Sequence, residues 1–209
     1  MTSLALTLVL AAGGLGQDSW SEVADMEPGP ERGRLVAGLL ALHEGELGRE
    51  AQGLAFEAGS RAADALELDL ALTIQGDLHR LVGAWWSGFN LALTQQRSGD
   101  VAAGDATLAA LLEAARPGDR ASLWNQRAIF ALGEGRWLDA HAGFGRAMAL
   151  GSADATAILA REHLARHNLH SARTGFRAAL NRNPDHPWAL RGWGLTVLSA
   201  PQPREERLP

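Results

Sequence analysis

The chain has 209 residues with a formal net charge of −5, 46% hydrophobic and 21% charged residues, no Cys, and 19 basic residues that are all Arg. The acidic balance argues against general affinity for nucleic acid. The missing Cys excludes a disulfide framework, a thiolate metal site and a Cys nucleophile. The ordinary apolar fraction excludes wholesale disorder.

Charge is uneven along the chain: residues 1–120 carry 17 acids and 8 Arg, whereas residues 121–209 carry 7 acids and 11 Arg. A solvated surface gradient and a basic face for an acidic partner both fit that distribution.

The opening "TSLALTLVLAAGGLGQDS" admits three readings. As a strand entering a phosphate-cradling glycine loop it resembles the start of sugar-phosphate nucleotidyltransferases. It also carries Gly14-Leu15-Gly16, the beginning of a dinucleotide fingerprint. However, Gln17 and Asp18 stand where a cation should follow, Ser19 replaces the last glycine, and no strand–helix alternation comes after it. The export reading fits better, with an uncharged core from Leu4 to Leu10 and a small-x-small site at Gly14-Leu15-Gly16, although a basic n-region is missing. The third reading is an ordinary buried segment. Residues 1–16 are therefore expected to be a signal or an apolar N-terminal segment, with an exported location favoured over a cytoplasmic one. The stretch is too short for a stable membrane span. Residues 17–33, broken by Pro28 and Pro30, read as a linker or a short helix and turn.

From Arg34 onward the pattern is helical. "RLVAGLLALHEGEL" puts Leu35, Leu39 and Leu42 on one face and ends near Gly45. "DALELDLALTIQGDL" ends at Gly76, one long helix runs from Leu78 to Arg97 with its stop at Gly99, and "SLWNQRAIFALGEGRW" turns at Gly135. Glycine ends helices by supplying the left-handed conformation, and helices joined by such short turns pack antiparallel. The irregular intervals between these turns leave the pairing within residues 34–120 open, with an odd helix count expected.

In the last third the pattern repeats. Ala140/Ala172, Phe144/Phe176 and Ala147/Ala179 each lie 32 residues apart. Small residues let two helices approach, a phenylalanine fills the space between one pair and the next, and an isolated pair cannot bury that face. With Trp124 in a first helix, Gly135-Arg136-Trp137 at a turn, Leu159-Ala160, Pro184 and Trp193-Gly194, residues 121–199 resemble the tetratricopeptide repeat, and earlier residues resemble it only in degenerate form. His167-Asn168 replaces a turn glycine and Gly151-Ser152 a closing proline. The resemblance implies an all-α fold, a right-handed stack of antiparallel helix pairs over residues 34–200, followed by a proline-rich tail at 201–209. It further implies a non-catalytic protein-interaction module without a cofactor. Its concave groove would use Asn125, Ile129 and Leu132, then Ala157, Arg161 and Leu164, then Arg191 and Leu195. The two arginines suit an acidic or C-terminal carboxylate partner. The Lys- and Asn-rich clamp of chaperone-binding relatives is absent as a set.

Alternatives remain. His163 and His167 are four apart, a metal-ligand spacing, but Glu162 precedes His163 rather than following it, so the metalloprotease motif is absent. A packed or exposed structural role is expected for both. No serine-hydrolase elbow occurs. A metal- or substrate-binding enzyme on the helical scaffold, and a structural subunit that self-associates through its stack ends, are the competing classes. Trp124, Trp137 and Trp193 are expected in the core, Trp188 against the preceding repeat, and Trp85-Trp86 on different faces of one helix.

Overall fold

The computed structural model describes residues 17–199, with side chains from residue 19, so the readings of the opening segment 1–16 and of the tail 201–209 lie outside it. Eleven helices and no strand occur among the described residues. The chain divides into two compact units, Met1–Ala114 and Ala115–Pro209. No described helix is long and apolar enough to cross a membrane.

The N-terminal unit contains α1 (Gln17–Ala24), α2 (Pro30–Leu42), α3 (Arg49–Asp64), α4 (Leu68–Val82), α5 (Trp85–Arg97) and α6 (Val101–Ala114). Consecutive helices α3/α4 and α5/α6 form the closest pairs, and α2 packs against both α3 and α4. Five helices thus lie between Pro30 and Ala114, with α2 the odd one. Residues 17–33 supply a short helix and a turn, and α1 is anchored by a fully buried Val23. Val23 belongs to a core that includes Val36, Leu40, Leu47, Ala55, Ile74 and Leu78. On α2 the buried face is Val36, Leu39 and Leu40 rather than Leu35, Leu39 and Leu42; Leu42 is exposed in the last turn.

Two expected helix boundaries move. Gly76 does not end a helix: α4 runs through it, because a glycine inside an amphipathic helix costs only about 1 kcal/mol and packing overrides it. The stop is instead Gly83, left-handed at φ 63°, which also splits the single helix expected over 78–97. The turn before α4 carries no glycine. Leu66 occupies the left-handed region at φ 62°, and Glu67 N donates back to Ala62 O at 2.9 Å.

The same closure recurs at Gly99, Gly135, Gly151 and His167. In each case the following residue's amide reaches the carbonyl five positions earlier at 2.9 Å. His167, at φ 59°, therefore does the work of Gly135 one repeat later. A left-handed leucine costs about 1–2 kcal/mol. Since Leu66 is also largely exposed, Leu66→Gly is expected to stabilise the protein by about 1 kcal/mol in urea denaturation.

The C-terminal unit contains α7 (Pro117–Gly133), α8 (Trp137–Ala149), α9 (Ala153–Ala165), α10 (Leu169–Arg182) and α11 (Pro187–Leu198). Here α7/α8 and α9/α10 are the tight pairs, and α11 closes against α10 and α9. Ala140, Phe144, Ala147 and their counterparts Ala172, Phe176, Ala179 are all at most 2% exposed, so the alanine–phenylalanine–alanine ladder is the core of each pair. The fold is all-α, built from stacked antiparallel helix pairs.

Between the ladder alanines there is no room for a side chain against the facing helix. A Cβ added at Gly143 would stand 3.3 Å from the Ala128 backbone, and one at Gly175 3.4 Å from that of Ala160. Both contacts repeat after 32 residues.

The aromatic side chains divide. Trp124 packs on the α7/α8 core, with the Arg146 guanidinium 4.3 Å from its ring centroid, and Trp193 packs on the α9/α10 core. Trp137 does not reach the core and is 52% exposed. It is the first residue of α8, where the side chain projects off the helix end. Trp188 is likewise exposed rather than packed on the preceding repeat. In the N-terminal unit the adjacent tryptophans part as expected. Trp86 makes an edge-to-face contact with Phe56 at 5.6 Å, and Trp85 is more exposed.

Candidate functional site

Alternate helices of the C-terminal unit face one hollow. From α7 come Asn125, Ile129 and Leu132, from α9 Ala157, Arg161 and Leu164, and from α11 Arg191 and Leu195. The spacings of three and four within each helix keep these side chains on one stripe. The structure thus brings together all the groove positions implied by the resemblance, in a hollow of about 590 Å³. Six further residues complete the lining, among them Asp154, Ile158, Phe176, His186 and Trp188.

Most of this wall is apolar, so the polar groups are few and their states matter. Arg161 and Arg191 are both exposed and make no ion pair among the described residues. Asn125 Oδ1 is buried and has no hydrogen-bond donor. A buried amide oxygen without a donor is unfavourable by about 1–3 kcal/mol.

Asp154 and His186 form a fixed cross-link between α9 and α11. His186 is buried, its Nε2 lies 2.9 Å from Asp154 Oδ1, and its Nδ1 accepts from Ala189 N at 3.2 Å as the cap of α11. Both contacts hold together only for the neutral ring protonated at Nε2, which donates to the carboxylate. The link pins the spacing of two groove helices, and the Asp154 carboxylate keeps its negative charge at the edge of the hollow. The sequence offers no signal for it, because the partners are 32 residues apart and neither lies in a motif.

His163 and His167 are not brought together as ligands. Helix α9 ends at Ala165, and His167 stands beyond it in the left-handed turn, so the two do not share one helical face. His163 is half-buried and His167 exposed. No cluster of three or more His, Asp or Glu suited to a metal occurs among the described residues.

No family model matches the sequence, and no curated protein matches it. A solved structure with a similar backbone path is titled "Crystal structure of MamA protein". The match covers 70% of this chain and 81% of that one, at a TM-score of 0.49 and 15% identity.

Proposed function

We propose that the C-terminal unit is a tetratricopeptide-type module that binds, without catalysis, an acidic segment of another protein in the hollow between α7, α9 and α11. The observation that carries this reading is the convergence of an apolar stripe, two arginines without ion pairs and the orphaned Asn125 Oδ1 in one hollow of about 590 Å³. Leu132, Leu164 and Leu195 take apolar side chains of the bound segment. Asn125 accepts a backbone N–H, and Arg161 and Arg191 take its carboxylates in forked hydrogen bonds. Nucleic acid is a poor fit, because the hollow offers two cations and no run of basic residues along a face.

Selection of binders from a random peptide library displayed against the whole chain tests this. Acidic peptides with apolar neighbours are expected to be enriched. The double variant Arg161→Glu/Arg191→Glu is expected to weaken their binding at least about a hundredfold, or ~3 kcal/mol. Both side chains are exposed, so the variant should fold normally. Enriched peptides that bind wild type and variant equally would rule out the groove.

A second reading, self-association, is favoured by the opposite flank of α11. Its buried strip is Ala189, Gly192 and Thr196, while Leu190, Val197 and Leu198 are 50%, 50% and 80% exposed. Sedimentation showing a concentration-dependent dimer that Val197→Asp dissociates would support it; a monomer at all concentrations would discard it.

A further inference from the structure

The N-terminal unit carries a separate hollow of about 320 Å³ between the start of α2, the second half of α3 and the turn into α4. Its floor is Arg32, whose side chain is only 8% exposed and whose Nε has no hydrogen-bond acceptor. The guanidinium makes one long contact, 3.5 Å from Nη2 to Glu57 Oε2. Glu57 is already held at 2.9 Å by Arg61 Nε and does not serve the inner edge of Arg32.

The same hollow receives the first turn of the 13-residue helix α2. Gly29 caps it without a side chain and Pro30 has no N–H, so the amides of Glu31 and Arg32 lack an acceptor within the helix. A buried guanidinium N–H and the positive end of a helix thus belong to the same lining. The outer lining has the opposite sign: Asp64, exposed at the rim, has Arg97 Nη1 3.4 Å from one of its oxygens and keeps the rest of its carboxylate open to solvent, Glu67 is half-buried, and Leu70 supplies an apolar wall.

We infer that this hollow binds a small zwitterion, a compound with a carboxylate at one end and an ammonium at the other. The carboxylate accepts from Arg32 Nε and the first-turn amides, and the ammonium sits against Asp64 and Glu67. An anion alone faces three carboxylates set against two guanidiniums in the lining. A cation alone leaves Arg32 Nε without an acceptor. Only a ligand carrying both charges satisfies both ends.

Calorimetric titration of the whole chain with glycine, β-alanine and γ-aminobutyrate, and with propionate and propylammonium as single-charge controls, tests the inference. At least one zwitterion is expected to bind with a Kd of about a millimolar or tighter, and both controls at least about tenfold more weakly. Arg32→Met removes the guanidinium but also alters a buried position. Gly29→Asp tests the same point without that difficulty: the Gly29 backbone is extended, and an added Cβ meets nothing within 4 Å. The new carboxylate caps α2 and competes for the first-turn amides, so the variant should melt at a higher temperature yet bind the zwitterion at least about tenfold less. Asp64→Asn/Glu67→Gln should weaken the zwitterion and, by removing two of the three carboxylates in the lining, strengthen propionate. Binding by no zwitterion, which would mean that water alone fills the hollow, overturns the inference. So does binding that Gly29→Asp leaves intact. Neither result touches the peptide groove, which lies in the other unit.

Discussion

Phe176→Ala is expected to destabilise the C-terminal unit by about 3–5 kcal/mol, toward the upper end of that range. The ring is 2% exposed and packs among Ala157, Ala160, Ala172, Ala179 and Ala189. The cost of truncating a core aromatic depends on how far its surroundings collapse into the space left behind. Alanines have no rotamers with which to do so, and the backbones that carry them are already close, as the 3.4 Å limit at Gly175 shows. Leu164, Leu180 and Trp193 border the site and are the only large side chains in the cluster able to lean in. Urea unfolding followed by tryptophan fluorescence reads the loss directly. A loss below about 1 kcal/mol would mean that the space refills, and the ladder would then not be the element that holds successive helix pairs together. Phe144→Ala, in a cluster that includes Ala128, Ala131, Ala140, Ala147 and Ala155, is expected to behave alike.

How much of this could be read from the sequence depended on whether a feature repeats. The ladder was legible because its three residue types recur at one interval, and burial of all six confirms the reading. The groove positions on α7, α9 and α11 came from the resemblance to the tetratricopeptide repeat, position by position, since the ladder itself lies on α8 and α10. The Asp154–His186 link and the orphaned Asn125 were not legible, since both depend on where helices meet rather than on which residues are neighbours. The N-terminal unit resisted for a different reason. Its turn signals mislead in both directions: Gly76 lies inside a helix, while Leu66, a residue with no turn preference, takes a left-handed turn. Propensity is a weak term of about 1 kcal/mol per residue, and packing on a shared core decides against it in both places. Trp137 shows the limit of matching by motif, because a large residue at a helix start can sit at the right register and still project into solvent.

Gly192→Ala is expected to destabilise the protein by about 1–2 kcal/mol, and to do so only while Phe176 is present. A Cβ at Gly192 would meet Cζ, Cε1 and Cε2 of the Phe176 ring, the last at 2.7 Å, well inside contact distance. A ring tip is not a flexible chain end, and with alanines around the rest of the ring it can give way only toward the hollow that it lines. Overpacking costs about 1–3 kcal/mol, and a Cβ set against three ring atoms falls in the upper part of that range, about 2–3 kcal/mol, against about 1 kcal/mol gained by exchanging a helical glycine for alanine. In a Phe176→Ala background the crowding disappears while the helix gain remains, so the same substitution should then stabilise by about 1 kcal/mol. The resulting coupling of about 2–3 kcal/mol is large for a pair and changes the sign of one mutation. Phe176 also forms part of the groove lining, so its position bears on binding as well as on stability. If Gly192→Ala pushes the ring into the hollow, peptide affinity should fall in the single variant; Gly194→Ala, whose added Cβ meets nothing within 4 Å, should leave both quantities unchanged or slightly improved. Equal effects of Gly192→Ala in the two backgrounds would show that the glycine is a tolerated helix defect rather than the space into which the phenylalanine fits.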